Sequence, residues 1–242
     1  MPGVKQINRL KEDWAEFANT LNEDRVRVPA FTIYDNDMVL SEDTTFDSSV
    51  AVNGSLIGAR RQTEAERASV SAEGVVLIKN EFRAGCVNAS DVVIGGNAVV
   101  KDINAVNTVY GEADVLAKGK IVTYNGGYKS KGKTSAGILY AHASEPNKYA
   151  EEAPIIVEGP ELNVKLKIYA SHGNIEVPNG NIISPFVSTT RRLYAGTVVT
   201  KELRASRGIL AYRVEAEVAY VLSDSRRDIR IERNEIKKTI LL

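Results

Sequence analysis

Short valine-rich phrases recur after glycine along the middle of the chain. The phrases GVVLIK, GNAVVK and GKIVTY begin at Gly74, Gly96 and Gly119, which are 22 and 23 residues apart. Related phrases, GNIEV and GTVVT, begin at Gly173 and Gly196, again 23 residues apart. Such a period is typical of stacked β-repeats, because one short strand cannot bury its apolar side chains alone, whereas a stack of similar turns encloses a continuous core.

The pattern predicts a mainly-β protein whose core is a parallel β-helix or a related β-solenoid, spanning residues 29–210. Alternating small, β-branched and polar residues suit strands with one inward face. Clusters of asparagine and glycine between the phrases can adopt the left-handed backbone conformations that sharp corners need. The residues expected to be buried are Val76, Ile78, Val93, Val99, Ile121 and Val122.

The first 28 residues carry a different pattern and are predicted to form a helical arm. Apolar residues recur at spacings of 3 or 4, which places them on one face of an amphipathic α-helix. They are Val4, Ile7, Leu10, Trp14, Phe17 and Leu21. This face would dock on the chain's own core, cover the end of the solenoid or bind a neighbouring subunit.

Residues 211–242 are predicted to form a strand and a charged tail. Residues 211–222, AYRVEAEVAYVL, alternate between apolar and polar, which indicates a half-exposed strand, here assigned to an antiparallel hairpin. In the charged segment that follows, Asp224 or Ser225 would cap a final helix. Earlier in the chain, the charged stretch 59–68, ARRQTEAERA, has no apolar stripe and predicts an exposed loop or short helix.

One long stretch resembles a known family. It begins at Gly95 and reads GGNAVVKDINAVNTVYGEADVLAKGKIVTYNGGYKSKGKTSAGILYAHAS. It is similar to the β-helical domain of flagellar assembly protein A-like (FapA-like) proteins and, more distantly, to bactofilins, which are β-helical filament formers of the bacterial cytoplasm. The family has repeats of the type GGNIVVKG and then a Gly/Lys-rich step before AGGDIYA, to which AGILYA at 136–141 is similar. The likeness covers roughly residues 70–200. It implies a β-helical fold and supplies no catalytic residues.

Composition narrows the functional classes. Lys plus Arg and Asp plus Glu both number 31, so the net charge is zero, which argues against a dedicated nucleic-acid-binding protein. The single cysteine, Cys86, excludes an internal disulfide framework and is expected to be a small core residue, with a reactive thiol as the alternative. Without an apolar run long enough for a signal peptide or a membrane span, the protein is expected in the cytoplasm or assembled into a virion.

Residues 127–134, GYKSKGKT, match the phosphate-binding loop pattern G-x-x-x-x-G-K-[ST]. In that motif the backbone N–H groups and the lysine hold phosphates, and the hydroxyl holds magnesium. The weak nucleotide-loop candidates are Gly127, Gly132, Lys133 and Thr134. A helix should begin at Lys133, but Gly137 and Pro146 disfavour one, so the segment is interpreted as a solvated loop at a break in the stack. No cofactor is expected.

Other candidate chemistry is sparse. His142 and His172 occur in similar phrases, but two histidines without further ligands make a poor metal site. A glycosidase-like carboxylate pair among Glu145, Glu151 and Glu152 is an alternative to a solubilising role for these residues. We therefore assign neither a catalytic residue nor a metal ligand.

Arginine is concentrated in the last quarter of the chain, at Arg191, Arg192, Arg204, Arg207, Arg226, Arg227, Arg230 and Arg233. These residues would form a surface for a polyanion or, because Asp and Glu are interleaved with them, a protein interface; we favour the interface. The predicted interface residues are Trp14, Phe17, Leu21, Arg226, Arg230, Ile240 and Leu241.

Together these patterns predict a non-enzymatic structural protein that self-assembles or docks on other proteins through its β-solenoid. Its expected partner is a second copy of itself, as a homo-oligomer or polymer, with other structural proteins as a further possibility. One alternative is a structural component of a phage or virus, such as a capsid, decoration or tail protein. The other is an enzyme with a nucleotide-binding loop at Gly127–Thr134.

Overall fold

A computed structural model describes residues 31–60, 66–143, 154–221 and 229–241 of the 242-residue chain. This part of the protein is mainly β and folds as a parallel β-solenoid of about ten turns. It contains 22 strands and no helix. The predicted N-terminal helix, with Trp14, Phe17 and Leu21, lies outside the described residues. The strands belong to two compact units that divide between Lys118 and Gly119.

Unit 1 contains twelve strands, most of them three or four residues long. They are β1 (Phe31–Tyr34), β2 (Met38–Leu40), β3 (Thr44–Phe46), β4 (Ser49–Val52), β5 (Leu56–Gly58), β6 (Val70–Ala72), β7 (Val75–Ile78), β8 (Phe82–Ala89), β9 (Asp91–Ile94), β10 (Ala98–Ala105), β11 (Val109–Gly111) and β12 (Val115–Ala117).

Unit 2 contains ten strands, which become longer towards the end of the chain. They are β13 (Lys120–Thr123), β14 (Tyr128–Ser130), β15 (Thr134–Ala141), β16 (Ile155–Val157), β17 (Glu161–Ala170), β18 (Ile175–Ile183), β19 (Phe186–Thr189), β20 (Arg192–Ala205), β21 (Gly208–Val221) and β22 (Ile229–Leu241).

Each unit is a stack of three-sided coils in which every pairing between strands is parallel. In unit 1, β7 pairs with β4 and β9, while the two halves of β8 pair with β5 and β6 on one neighbouring coil and with the two halves of β10 on the other. Stacked residues in this region are 16 apart, as Asn88 and Asn104 are. For unit 2 we name the sides by the segments of β20: side A is 192–195, side B is 197–200 and side C is 202–205.

The glycine phrases do not stack on one another, so the predicted 22–23-residue period is not the length of a coil. The phrase after Gly74 forms β7, which pairs with β9, whereas the phrase after Gly96 begins β10, which pairs with β8 and β12. In unit 2 the phrases after Gly173 and Gly196 lie on sides A and B. The spacing therefore corresponds to one coil plus one side, because a coil takes 16 to 18 residues and a side about six.

The core lies inside the coils and consists of inward-facing aliphatic residues. Five of the six residues predicted to be buried are buried: Val76, Ile78, Val93, Ile121 and Val122. The prediction for Val99 is wrong, since β10 alternates from Ala98 and places Val99 half-exposed on the outer face, between buried Ala98 and Val100. Cys86 is also only half-buried, with its Sγ 3.7 Å from Asp102 Oδ2, so it is not a core residue.

The end of the described chain differs from the prediction. Residues 208–221 form a strand with the expected alternating burial, but β21 pairs in parallel with β20 and β22 and is not part of an antiparallel hairpin. Residues 229–241 form strand β22, where a final helix was predicted. The proposed helix caps, Asp224 and Ser225, lie outside the described residues. Stacked coils therefore continue past residue 210 as far as β22.

The charged stretch 59–68 interrupts a coil of unit 1. Its ends are held together by an antiparallel bridge between Arg60 and Arg67 and by a 3.0 Å hydrogen bond from the Ala68 N–H to the Ala59 carbonyl. Ala68 is fully buried, which fixes the point where the chain rejoins the stack. Residues 61–65, between these ends, are outside the described part of the chain.

Candidate functional site

The loop that matches the phosphate-binding pattern joins two strands of unit 2. The matching residues 127–134 include strand β14, followed by the turn from Ser130 to the start of β15 at Thr134. A phosphate-binding loop needs a helix at this point, because the N–H groups of its first turn bind the phosphate. Here the eight residues from Thr134 to Ala141 are a strand.

The side chains of this loop contact protein groups instead. Lys133 Nζ lies 2.8 Å from Glu161 Oε1 on the next coil, and this hydrogen bond lowers the pKa of the Glu161 carboxyl. Thr134 is buried, with its Oγ1 2.8 Å from the hydroxyl of Tyr128, and burial raises the pKa of that phenol. The backbone of Gly132 also packs tightly against Gly159. The loop thus has a structural explanation for its lysine, threonine and second glycine.

Lys133→Ala is accordingly expected to change stability by less than about 1 kcal/mol, because its ion pair with Glu161 is partly exposed to solvent. The oligomeric state should not change, and neither variant nor parent should hydrolyse ATP or GTP. Thermal unfolding, size-exclusion chromatography and a phosphate-release assay measure the three properties. Magnesium-dependent nucleotide binding that disappears in Lys133→Ala would contradict this interpretation.

The two histidines follow neighbouring strands at one corner of unit 2. Ala141 and Ala170, which precede this corner in β15 and β17, are stacked in register. His142 is half-buried, and its Nδ1 has no hydrogen-bond partner, while His172 Nδ1 lies 3.0 Å from the Ser171 hydroxyl. Within the described residues no three His, Cys, Asp or Glu side chains are grouped closely enough to hold a metal ion. Glu145, Glu151 and Glu152 are outside this part of the chain.

Side C of unit 2 carries a ladder of aromatic and cationic side chains on its outer surface. Its members are Tyr140, Lys167, Tyr169, Phe186, Arg204 and Tyr220. The rings of Tyr140 and Tyr169 stack with their centroids 4.9 Å apart. Lys167 Nζ and Arg204 Cζ lie 4.9 and 5.6 Å from the centroid of Phe186. Because each cation lies over a ring of a neighbouring coil, this ladder stabilises the stack.

Other arginines of the last quarter also contact side chains of their own or the neighbouring coil. Arg213 forms ion pairs with Glu215 at 2.8 Å and with Glu235 at 2.9 Å. Arg233 lies over the ring of Tyr212, 5.3 Å from its centroid. Acidic side chains therefore neutralise Arg213, whereas Arg233 contacts an aromatic ring. Arg226 and Arg227, by contrast, lie outside the described residues.

The last described strand, β22, forms one edge of unit 2. Eleven residues of β22 pair with β21, and no other described strand is in register with it. Isoleucine occupies three of its inward positions, Ile229, Ile231 and Ile236, and each is only half-buried, while Asn234, in register with buried Val214, is exposed. Their counterparts on β21 are fully enclosed. Alternation of isoleucine with charged residues over 229–232 was the available sequence signal for this strand.

The predicted interface residues are only partly described. Arg230 is exposed on the outer face of β22, and Ile240 is half-buried in register with Tyr220. Leu241 ends the strand. Trp14, Phe17, Leu21 and Arg226 lie outside the described residues, so the structure does not test the interface they would form.

No protein-family model, curated protein or solved structure matches the chain. The β-solenoid fold is compatible with bactofilin-like β-helical proteins, and no family match confirms a FapA-like identity. Among the described residues no helix is both long and apolar enough to cross a membrane.

Proposed function

We propose that this protein is a non-enzymatic structural scaffold that associates with further copies of itself through the open end of unit 2. The observation that carries the proposal is the edge of β22, a 13-residue strand with a neighbour on one side only among the described residues. Unpaired N–H and C=O groups along such an edge are a template for another strand.

The inward side chains of β22 support a protein partner. Ile229, Ile231 and Ile236 continue the rows of buried core residues from β21 to the end of the stack. Covering them would remove apolar surface from water, at roughly 25 cal/mol per Å². A coil of similar shape would satisfy the backbone edge and cover the isoleucines together, which a small ligand would not.

A second copy of this chain is the partner that we favour, because it presents coils of matching width and a similar core. The net charge of zero does not oppose association of identical chains at long range. In this proposal the β-solenoid is the building block of a homo-oligomer or polymer, in the cytoplasm or in a virion. No catalytic residue is needed for this role.

The proposal is tested by placing a charge at the open end of unit 2. Ile236→Lys puts an ammonium group at an inward position, where a docked coil would have to desolvate it. We expect the association constant to fall about 100-fold, corresponding to about 3 kcal/mol. Size-exclusion chromatography with light scattering measures the mass, and electron microscopy distinguishes a polymer from a closed ring or shell.

Val199→Lys is the matched control, because Val199 is 38% exposed on the outer face of β20, away from the edge. It should assemble like the parent. Deleting residues 236–242 should also favour monomers, and deleting residues 1–24 asks whether the other end contributes. A parent chain that is monomeric at high concentration would refute the proposal, as would an Ile236→Lys variant that assembles normally while its circular dichroism is unchanged.

A further inference from the structure

A cleft on the outer surface of unit 2 has an apolar floor and borders the β22 edge that the proposed assembly uses. It encloses about 620 Å³ and lies over strands β20, β21 and β22. Tyr194, Leu210 and Arg230 form one row on side A, because they are in register across the three strands. Leu210 and Tyr212 are 46% and 47% exposed and form an apolar patch on this surface.

One wall of the cleft is built by extra residues in β18. The register between β18 and β20 shifts between Val177 and Asn181, which leaves Pro178 projecting beside Gly196. At the other end the cleft is bordered by Arg230 and Glu232 of β22. The surface between these walls is therefore a depression along the stack and not a flat sheet.

Arginines flank the apolar floor on both sides of Leu210. Arg192 and Arg230 both line a smaller cavity of about 290 Å³ that shares Tyr194 and Leu210 with the main cleft. Arg192 Nη1 lies 3.5 Å from the Tyr194 hydroxyl, which directs the guanidinium along the floor. Among the described residues, Glu232 borders the far end of the cleft, and Glu176, in register with Tyr194, accepts a 2.9 Å hydrogen bond from Asn174.

We propose that this cleft binds an acidic polysaccharide of the uronic-acid type along the stack. Such a polymer presents C–H-rich ring faces to Tyr194, Leu210 and Tyr212, and carboxylates that the forked guanidinium groups of Arg192 and Arg230 can bind through two hydrogen bonds each. Because strands are about 4.8 Å apart, the two arginines are separated by roughly 10 Å along the stack, so they contact different sugar units.

The backbone beneath the cleft favours a glycan over an acidic peptide. Extended peptides commonly bind by adding a strand to an unpaired sheet edge. Here β21 is paired on both sides, with β20 and β22, so a strand could be added only beyond β22, at the border of the cleft. Over β20 and β21 a ligand must therefore be recognised by side chains, which suits sugar rings and carboxylates.

Isothermal titration calorimetry with the full-length chain at low salt tests the proposal. The probe is an oligogalacturonate, and its methyl ester keeps the rings but lacks the charges. Poly-glutamate keeps the carboxylates but lacks the rings. We expect oligogalacturonate to bind with an affinity that falls at higher salt, and both comparison polymers to bind at least about tenfold more weakly.

Arg192→Gln, Arg230→Gln and Leu210→Ser should each weaken oligogalacturonate binding about tenfold. Arg83→Gln, in unit 1, makes the same charge change outside the cleft and should bind like the parent. Absence of binding by the folded parent would overturn the proposal, as would unchanged binding by all three cleft variants. Equal affinity for poly-glutamate would also overturn it and would indicate a surface for acidic peptides. Light scattering on the same samples shows whether assembly is intact, so failure of this site and failure of self-association are distinguishable.

Discussion

Val100→Asp is expected to unfold unit 1, whereas Val99→Asp is expected to leave it folded. Val100 is 1% exposed and faces the interior of its coil, in register with Ala84 and Ala117 of the neighbouring coils. A carboxylate there would lose its hydration without gaining a partner, which costs about 4 kcal/mol or more. That loss is comparable with the whole stability of a typical small domain. Val99 is half-exposed, so an aspartate at this position stays hydrated.

The comparison is a urea titration followed by circular dichroism, with Val100→Ala and Val99→Ala as size controls. Val100→Ala should cost about 2 kcal/mol, since a buried side chain loses methyl groups, and Val99→Ala well under 1 kcal/mol. Equal destabilisation by the two aspartates would mean that β10 does not alternate as described. A fully folded Val100→Asp would exclude the closed core of unit 1.

The sequence predicted the kind of fold because strand chemistry is local. Inward valine and isoleucine residues, β-branched alternation and glycine at corners all act within a few residues. Val99 shows the limit of this reasoning. In β7 the four residues from Val75 to Ile78 are all buried, whereas β10 alternates, so phrases that look alike place their valines differently. The position of each corner decides which residue faces inward, and corners are set by contacts between coils.

The number of residues in one coil could not be predicted from the sequence pattern, for a similar reason. The conspicuous glycine phrases follow different corners of the coil. Their spacing is therefore the length of one full coil plus the length of one side. Stacked neighbours such as Asn88 and Asn104 are less conspicuous, although their side chains form a 3.0 Å hydrogen bond. A hydrogen bond between side chains of neighbouring coils is stronger evidence for the register than a repeated sequence phrase.

The cleft of unit 2 could not be predicted from the sequence, because its parts are far apart in the chain. Tyr194, Leu210 and Arg230 meet only through the register of β20, β21 and β22. The arginine-rich last quarter was visible, but the sequence could not separate Arg213, which is held by Glu215 and Glu235, from Arg230 at the cleft. Parallel pairing decides which charges are neutralised.

Gly159→Ala is expected to destabilise unit 2 by about 3 kcal/mol. A Cβ at this position would overlap the backbone carbon and oxygen of Gly132 and would lie 2.9 Å from the Lys133 nitrogen. Backbone atoms of a paired coil cannot move aside as the end of a flexible side chain can. Relief would require the corner to shift, although the strands on either side, β16 and β17, are paired with β14 and β15.

Gly196→Ala is the control, because the steric clash expected at this position is smaller. Its Cβ would approach one backbone oxygen, that of Gly180, at 2.9 Å, while the next nearest atoms are 3.6 Å away. It should therefore cost less than half as much as Gly159→Ala in thermal or urea unfolding. Equal stability of Gly159→Ala and the parent would mean that Gly132 and Lys133 are not packed against the next coil. In that case the second glycine of the motif at residues 127–134, Gly132, would lose its structural explanation.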